Sequence, residues 1–186
     1  AYAKGAYIQA IASDEWDTSG DPLDAPTKLN FHTQSNGGND NLANPRMTIL
    51  ETGNTGIGTD TPEGLLEISK NDSNPVYITS YHDTGTIHGG LYIRKADNVA
   101  GDPHIVTDNE VLGGVIFQGY DSTEWISGAM ILARTNGTPA DDDIPCDLEF
   151  WTNDGVAAPE QRMVIDLNGN VGIGVSDPAG HLEVNS

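Results

Sequence analysis

Short runs of alternating apolar and polar residues recur along this chain, separated by clusters of Gly, Asn, Asp and Pro. Runs such as GAYIQAIA (5–12), TKLNFHT (27–33), GAMILART (128–135) and CDLEFWT (146–152) show the two-residue period of half-buried strands. No long window carries apolar residues at helical spacing. The pattern predicts an all-β chain of about a dozen short strands, each roughly five to eight residues long.

The strand pattern occurs twice. Residues 46–68 read RMTILETGNTGIGTDTPEGLLEI, and residues 162–184 read RMVIDLNGNVGIGVSDPAGHLEV, at a constant offset of 116 residues. Upstream of these segments, GAYIQAIA and TKLNFHT match GAMILART and CDLEFWT. Self-similarity at a fixed period indicates a modular architecture before it indicates a catalytic centre.

The duplication predicts three modules. Residues 1–69 form the first β-module, which ends in the Gly-rich repeat at 46–69, and residues 128–186 form the second, which ends in the repeat at 162–186. The intervening residues 70–127 form either a β-module of their own or one continuous with the next. Their strand candidates are PVYITSYH, GGLYIRKA, PHIVTD and GGVIFQGYD. We expect GGLYI to pair with GGVIF, because each opens from a Gly-Gly bend.

The Gly-rich repeat has a composition suited to close contact between backbones. In each copy one isoleucine lies between two glycines: Gly56, Ile57 and Gly58, then Gly172, Ile173 and Gly174. Glycines let chains approach closely while the single isoleucine is buried. We therefore expect these residues at an oligomer axis, where several chains cross. Pro62 and Pro178 then end strand pairing and redirect the chain.

Two arginines and two glutamates recur at equivalent positions. Arg46 matches Arg162, and Glu67 matches Glu183, in a chain with only eight basic residues. Their joint recurrence predicts that Arg46 pairs with Glu67, and Arg162 with Glu183, within or between chains. The alternative is a pair of exposed arginines that contribute well under about 1 kcal/mol each.

The charge of the chain narrows the class of partner. Eight Lys and Arg stand against 28 Asp and Glu, which gives a formal net charge of −20. Nucleic acid is excluded as a partner, because its binding depends on basic residues that neutralise phosphates. Membrane insertion is excluded because no run approaches the roughly 20 apolar residues of a spanning helix. The first residues show no signal peptide, and we expect a mature fragment or the ordered part of a longer chain.

The signals for catalytic, cofactor or metal sites are weak. The GIG segments are not followed by the third glycine, the basic residue or the helix of a phosphate-binding loop. Adjacent carboxylates such as Asp141–Asp143 usually diverge, so a structural calcium ion stays an open alternative and no other cofactor is expected. A transition metal at a trimer axis would use His181 or His32. The single cysteine, Cys146, forms no intrachain disulfide and is expected as a small buried residue.

One aromatic residue is a candidate for surface contact. Trp16 lies in the polar segment ASDEWDTSGD, whereas the other aromatic residues lie on predicted strands, where they more often anchor a core or an interface.

The repeated residues resemble a known family. The pattern RM-x-I-x-x-x-GN-x-GIG-x-x-x-P-x-x-x-L-x-V, preceded by GA-x-I-x-A and L-x-F-x-T, is similar to the repeated modules of bacteriophage tail fibres and related virion adhesion proteins. In that family the modules often lie upstream of a self-cleaving C-terminal chaperone. The resemblance implies a homotrimeric, elongated and partly intertwined fibre segment of the extracellular virion, which links the virion to a host-binding tip. Its implied partners are itself, neighbouring virion proteins and a host surface glycan or protein.

Three classes of function are consistent with the sequence. The first is a non-enzymatic, structural and adhesive segment of a viral tail fibre. The second is a cellular surface adhesin or extracellular filament subunit, which the termini of the full-length protein would distinguish. The third is a glycan-degrading virion enzyme, since carboxylates far apart in sequence can meet in space.

Overall fold

The computed structural model describes residues 5–12, 26–34, 44–70, 75–81, 89–156 and 158–185. These residues contain no helix and form 13 strands, which confirms the all-β prediction. The strands range from three to eleven residues, and seven of them have only three, so the expected length was wrong in both directions. The chain divides into two compact units, Ala1–Thr79 and Ser80–Ser186.

Unit 1 contains one five-stranded sheet whose strands follow the order of the sequence. They are β1 (Ala6–Ala12), β2 (Thr27–Thr33), β3 (Met47–Ile49), β4 (Thr55–Ile57) and β5 (Leu66–Ile68). The first three pairings are antiparallel, and β5 lies parallel to β4.

Unit 2 contains a six-stranded sheet and a separate two-stranded hairpin. The hairpin strands are β6 (Asp97–Val99) and β7 (Asp102–His104). The sheet strands are β8 (Val111–Tyr120), β9 (Trp125–Thr135), β10 (Cys146–Thr152), β11 (Glu160–Ile165), β12 (Val171–Ile173) and β13 (Leu182–Val184). They also follow the order of the sequence, with β8 and β13 at the two edges and β13 parallel to β12.

The last five strands of unit 2 pair in the same register as the five strands of unit 1. Phe31 lies opposite Met47 and Met47 opposite Ile57, just as Phe150, Met163 and Ile173 do in unit 2. Unit 2 adds β8 at its edge, so part of the predicted 70–127 module belongs to the second sheet. The division into three modules itself stays a prediction.

The Gly-rich repeat forms the connection that brings the last strand parallel to the one before it. A Cβ at Gly56 would collide with the carbonyl oxygen of Thr59, and one at Gly172 with that of Val175. Gly58 and Gly174 have φ values of +81° and +71°, in the left-handed region that favours glycine. The four glycines are therefore required by the path of their own chain.

The turn before the Gly-rich strand differs between the two units at three positions, and one of them carries a carboxylate only in unit 2. In unit 2 the Asp166 carboxylate accepts hydrogen bonds from the backbone N–H groups of Asn168 (2.8 Å) and Asn170 (2.7 Å). Burial raises the pKa of Asp166, but the hydrogen bonds from Asn170 and Asn168 outweigh burial and hold the pKa below its ordinary value. This contribution to stability is present above the unfolded-state pKa and is lost as the pH falls through the lower folded-state pKa. Leu50 occupies the equivalent place in unit 1 and makes no such contribution.

Two strand predictions in the intervening region were wrong. Residues 75–81 and 89–96 lie outside the strands that the structure describes. GGLYI and GGVIF are not paired; instead, the side chain of Ile93 packs against Gly113, where a Cβ would collide with it. Lys95 holds this segment beside β8 through an ion pair with Glu110, with Nζ and Oε2 2.6 Å apart. Their hydrogen bond raises the pKa of Lys95 and lowers the pKa of Glu110.

Two recurring glycines of the second repeat should respond differently to alanine. Gly172→Ala introduces a methyl group where the backbone leaves no room, and overpacking of this kind costs roughly 1–3 kcal/mol. Gly180 has open space around it and no positive φ, so Gly180→Ala should change the free energy of unfolding by less than about 0.5 kcal/mol. Urea unfolding followed by tryptophan fluorescence measures both. Equal destabilisation by the two substitutions would contradict this account of the repeat.

Candidate functional site

One face of the unit 1 sheet carries a row of apolar side chains that is open to solvent. The register aligns one residue from each strand in this row, called apolar row 1: Ile8, Phe31, Met47, Ile57 and Ile68. The three isoleucines are exposed, and Ile57 retains 42% of its accessible surface. Phe31 and Met47 are half-buried. In an antiparallel sheet with one solvated face, the polar side chains normally lie on the solvated face. In this sheet the solvated face carries apolar side chains instead.

The unit 2 sheet repeats the same feature across six strands. Its register aligns apolar row 2: Val115, Ile131, Phe150, Met163, Ile173 and Val184. Ile173 is 42% exposed, the same fraction as its counterpart Ile57, and the end residues Val115 and Val184 are exposed as well. Both units therefore present an equivalent uncovered apolar face.

The opposite face of unit 1 is polar and buried. Thr48 donates a hydrogen bond from its hydroxyl to Asn30 Oδ1 at 3.0 Å, and both side chains are buried. His32 is 3% exposed and stacks on the Tyr7 ring with a centroid distance of 4.3 Å. Neither ring nitrogen of His32 has a hydrogen-bond partner. In this conformation His32 is covered by its own chain and offers no open ring nitrogen to a metal shared between chains.

The opposite face of unit 2 carries a cluster of charged and aromatic residues, called the polar cluster: Arg134, Asn136, Asp147, Glu149 and Trp151. Arg134 Nε donates to Glu149 Oε1 at 2.9 Å, and Trp151 Nε1 donates to Oε2 of the same carboxylate at 2.9 Å. Glu149 is 5% exposed. Its charge is therefore held in a buried position by one guanidinium and one indole.

The second carboxylate of the polar cluster is equally well satisfied. Asp147 accepts from Asn136 Nδ2 and from the backbone N–H of Leu167, both at 2.9 Å. A cavity of about 350 Å³ lies beside the cluster, between Asp108, Ser176 and the charged residues. Because their own chain binds each of these carboxylates, the cluster fixes the strands of unit 2 in place. The pairing equivalent to Arg134–Asp147 in unit 1 is Ile11–Lys28, so the cluster is specific to unit 2.

The residues predicted for an oligomer axis fall into two groups. Gly56, Gly58, Gly172 and Gly174 are explained by contacts within one chain. Ile57 and Ile173 lie in the two apolar rows with nearly half of their surface uncovered. A role for these six residues at an axis stays a prediction, and within it the isoleucines are the groups available for contact.

The predicted ion pairs are not formed within the described chain. Arg162 Nη1 lies 3.1 Å from Glu160 Oε2, and Nη2 lies 3.8 Å from Asp154 Oδ2. Glu183 instead accepts the backbone N–H of Ala179 at 2.8 Å, and Glu67 accepts that of Glu63 at 2.9 Å.

The recurring glutamates thus bind the backbone of the Gly-rich connection, four residues earlier in the chain. Arg46 Nε donates to the carbonyl oxygen of Thr33 at 3.4 Å. Pairing of these arginines and glutamates between chains stays a prediction.

Other candidate residues are placed as follows. Trp16 lies outside the described residues. Cys146 is exposed at the start of β10, so its expected burial was wrong. Asp142 has a φ of 57° in a tight turn closed by Ala140 and Asp143, and calcium binding there stays a prediction.

Within the ranges that the structure covers, no group of three or more His, Cys, Asp or Glu side chains is arranged to hold a metal ion. The same residues include no helix long and apolar enough to cross a membrane.

Comparison with families and curated proteins gave no match. No family model matches the sequence. No curated protein matches it either.

Solved structures do share the fold, and domains of phage tail fibres are among them. Two of them are the carboxy-terminal domain of the L-shaped tail fibre of bacteriophage T5, one solved with its intra-molecular chaperone domain. Their TM-scores are 0.71 and 0.72, and each covers 97% of this chain at 11% identity. This chain spans 76% of the first structure and 52%, about half, of the second. At this identity the likeness establishes a common fold.

Sequence reasoning did not find the polar cluster. The available signal was alternation: Asp147 and Glu149 are two residues apart on one strand, so they share a face with Arg134 on the neighbouring strand. Charged residues on an alternating strand usually indicate a solvated face. Here they are on the buried face, because the apolar side of the sheet is the exposed one.

Two variants that remove charge should show how much the Arg134–Glu149 ion pair stabilises unit 2. Arg134→Met leaves a buried carboxylate without its cation and should destabilise unit 2 by about 3 kcal/mol, the lower end of the range for buried pairs, because Arg134 is partly exposed. Adding Glu149→Gln removes the charge and keeps an acceptor for Trp151, so the double variant should recover most of that loss. Thermal unfolding of the three proteins measures the effect. A double variant no more stable than Arg134→Met would indicate lost packing rather than an unpaired charge.

Proposed function

We propose that the chain is a structural and adhesive segment of a phage tail fibre, one that connects the virion to a host-receptor-binding tip. Its action is mechanical and involves no catalysis. Repeated β-modules set the length and stiffness of the fibre, and the chain works in the extracellular part of the virion. The likeness of fold to tail-fibre domains and the repeated sequence modules support this proposal.

The observation that carries the proposal is the uncovered apolar row in each unit. Contiguous exposed apolar surface on a soluble protein marks an interaction site. Both rows have the same register and the same exposure at Ile57 and Ile173, so one kind of partner fits both. We take that partner to be further copies of this chain, in the homotrimer that the sequence resemblance implies.

The charge of the chain supports contact through these rows. Two copies that each carry a formal charge of −20 repel one another over most of their surfaces. The apolar rows contain no charged residue, so copies can meet there without bringing carboxylates together. The acidic residues then remain in water, where they keep assembled fibres from aggregating.

A single charge in apolar row 2 should dissociate the assembly. Ile173→Asp places one carboxylate per chain in the proposed interface, and desolvating each carboxylate costs several kcal/mol. Val156→Asp is the matched control, because it adds the same charge at a loop position that is 89% exposed. Sedimentation velocity should show Ile173→Asp as lighter species and Val156→Asp as the intact oligomer. An Ile173→Asp variant that assembles normally would place the interface elsewhere.

The adhesive part of the proposal has its own test. Fluorescently labelled protein should bind the surface of a susceptible bacterium. Loss of binding after periodate oxidation of the cells would identify a glycan, and loss after protease treatment would identify a protein receptor. An intact oligomer that binds none of a panel of bacteria would restrict the role to structure.

A further inference from the structure

The β8 strand has an open edge that is long and free of charge. Its ten residues, VLGGVIFQGY, pair with β9 on one side and with no other strand of the described chain. The acidic residues Glu110 and Asp121 lie just beyond its two ends. Val115, Ile116, Phe117 and Tyr120 are exposed, and Phe117 keeps 55% of its surface. A long apolar edge without charges readily accepts another strand, and natural proteins normally protect such an edge.

A segment with the sequence of a strand lacks a partner. Residues 75–81, PVYITSY, contain β-branched and aromatic residues and no charge. They belong to no strand, and their backbone groups bond to no other residue that the structure describes. Tyr77 is 83% exposed and Ile78 is 54% exposed. Strong strand propensity without a partner among the described residues makes this segment available to pair with another chain.

A competing segment is already engaged within its own unit. Residues 89–96 are held beside the start of β8 by Ile93, which packs on Gly113, and by the ion pair of Lys95 with Glu110. Along the second half of the edge, Val115–Tyr120, β9 is the strand of the described chain that pairs with β8, and the outer side has no described strand.

We propose that residues 75–81 of one copy add a strand to the β8 edge of a second copy, along Val115–Tyr120. The seven residues of the segment match the six of the open edge in length. Both are uncharged, in a chain where 28 acidic residues oppose most other contacts between copies. Val115 also begins apolar row 2, so the added strand continues the same face. This inference rests on the proposed self-assembly and specifies which part of the chain crosses to a neighbour.

Proline substitutions along the segment test the pairing. In an added strand only alternate N–H groups point towards β8, so the effects of Tyr77→Pro, Ile78→Pro and Thr79→Pro should alternate. A proline that removes a bonded N–H should weaken assembly by about tenfold or more, as expected for one hydrogen bond lost per chain. Proline at the adjacent positions, where the N–H group points away from β8, should weaken assembly less. Ile78→Ala, which keeps the N–H, is the side-chain control.

Cysteine cross-linking tests whether the contact is between chains. Two chains with different tags are co-expressed, and both carry Cys146→Ser. One chain also carries Ile78→Cys. The other carries Phe117→Cys or Gln118→Cys, because the register of the added strand decides which of these two positions faces residue 78. We expect a cross-linked heterodimer on a non-reducing gel, because paired strands bring Cβ atoms within disulfide range. Replacing the Phe117 variant by Val156→Cys, at an exposed loop position outside the β8 edge, should abolish the cross-link.

The outcomes separate this inference from the proposed function. An intact oligomer with no cross-link at either position, and with three harmless prolines, would overturn strand addition and leave the fibre proposal standing. A cross-link that forms only when both cysteines are in one chain would overturn it as well. A wild-type protein that remains monomeric would overturn both.

Discussion

Apolar surface that the described residues leave uncovered is the constraint on which this molecule depends. In each sheet a row of apolar side chains lies on the uncovered face, and the opposite face buries mainly polar side chains, the reverse of an ordinary half-solvated sheet. Among the described residues, Val106, Leu132 and Val164 are the buried large apolar side chains, and this is a small core for two units. In the assembly that we propose, contact with other copies supplies the stabilisation that a globular domain obtains by closing on itself. The polar cluster around Glu149 and the Asn30–Thr48 pair are then the means by which each sheet holds its register in isolation.

The Gly-rich repeat serves this arrangement by controlling the end of each sheet. It turns the chain so that its last strand lies parallel to the preceding one, within a connection shorter than the dozen or more residues that a parallel pair usually needs. Gly56 and Gly172 let the backbone fold tightly. The carboxylates of Glu67 and Glu183 each accept a hydrogen bond from a backbone N–H of the connection. The isoleucine between the glycines is thereby placed in the apolar row. One short motif thus closes the sheet and contributes to the face that remains open.

Much of the architecture could be predicted from the sequence because it is repeated. Alternation identified the strands of the two matching blocks, and the residue-by-residue match of these strands implied the same register. Residues 75–81 were not predicted correctly, since their composition is that of a strand but they pair with no residue that the structure describes. The predicted pairing of Arg162 with Glu183 does not form within the described chain, because Glu183 instead accepts a hydrogen bond from the nearby backbone, and that contact needs no second side chain. The polar cluster was not predicted, because alternation shows that the two faces of a sheet differ but does not show which face is buried.

The most direct test of this account is the mass of the protein in solution, measured by size-exclusion chromatography with light scattering. The account predicts a species about three times the 19.7 kDa mass of the chain. A stable species of 19.7 kDa at working concentration would contradict it.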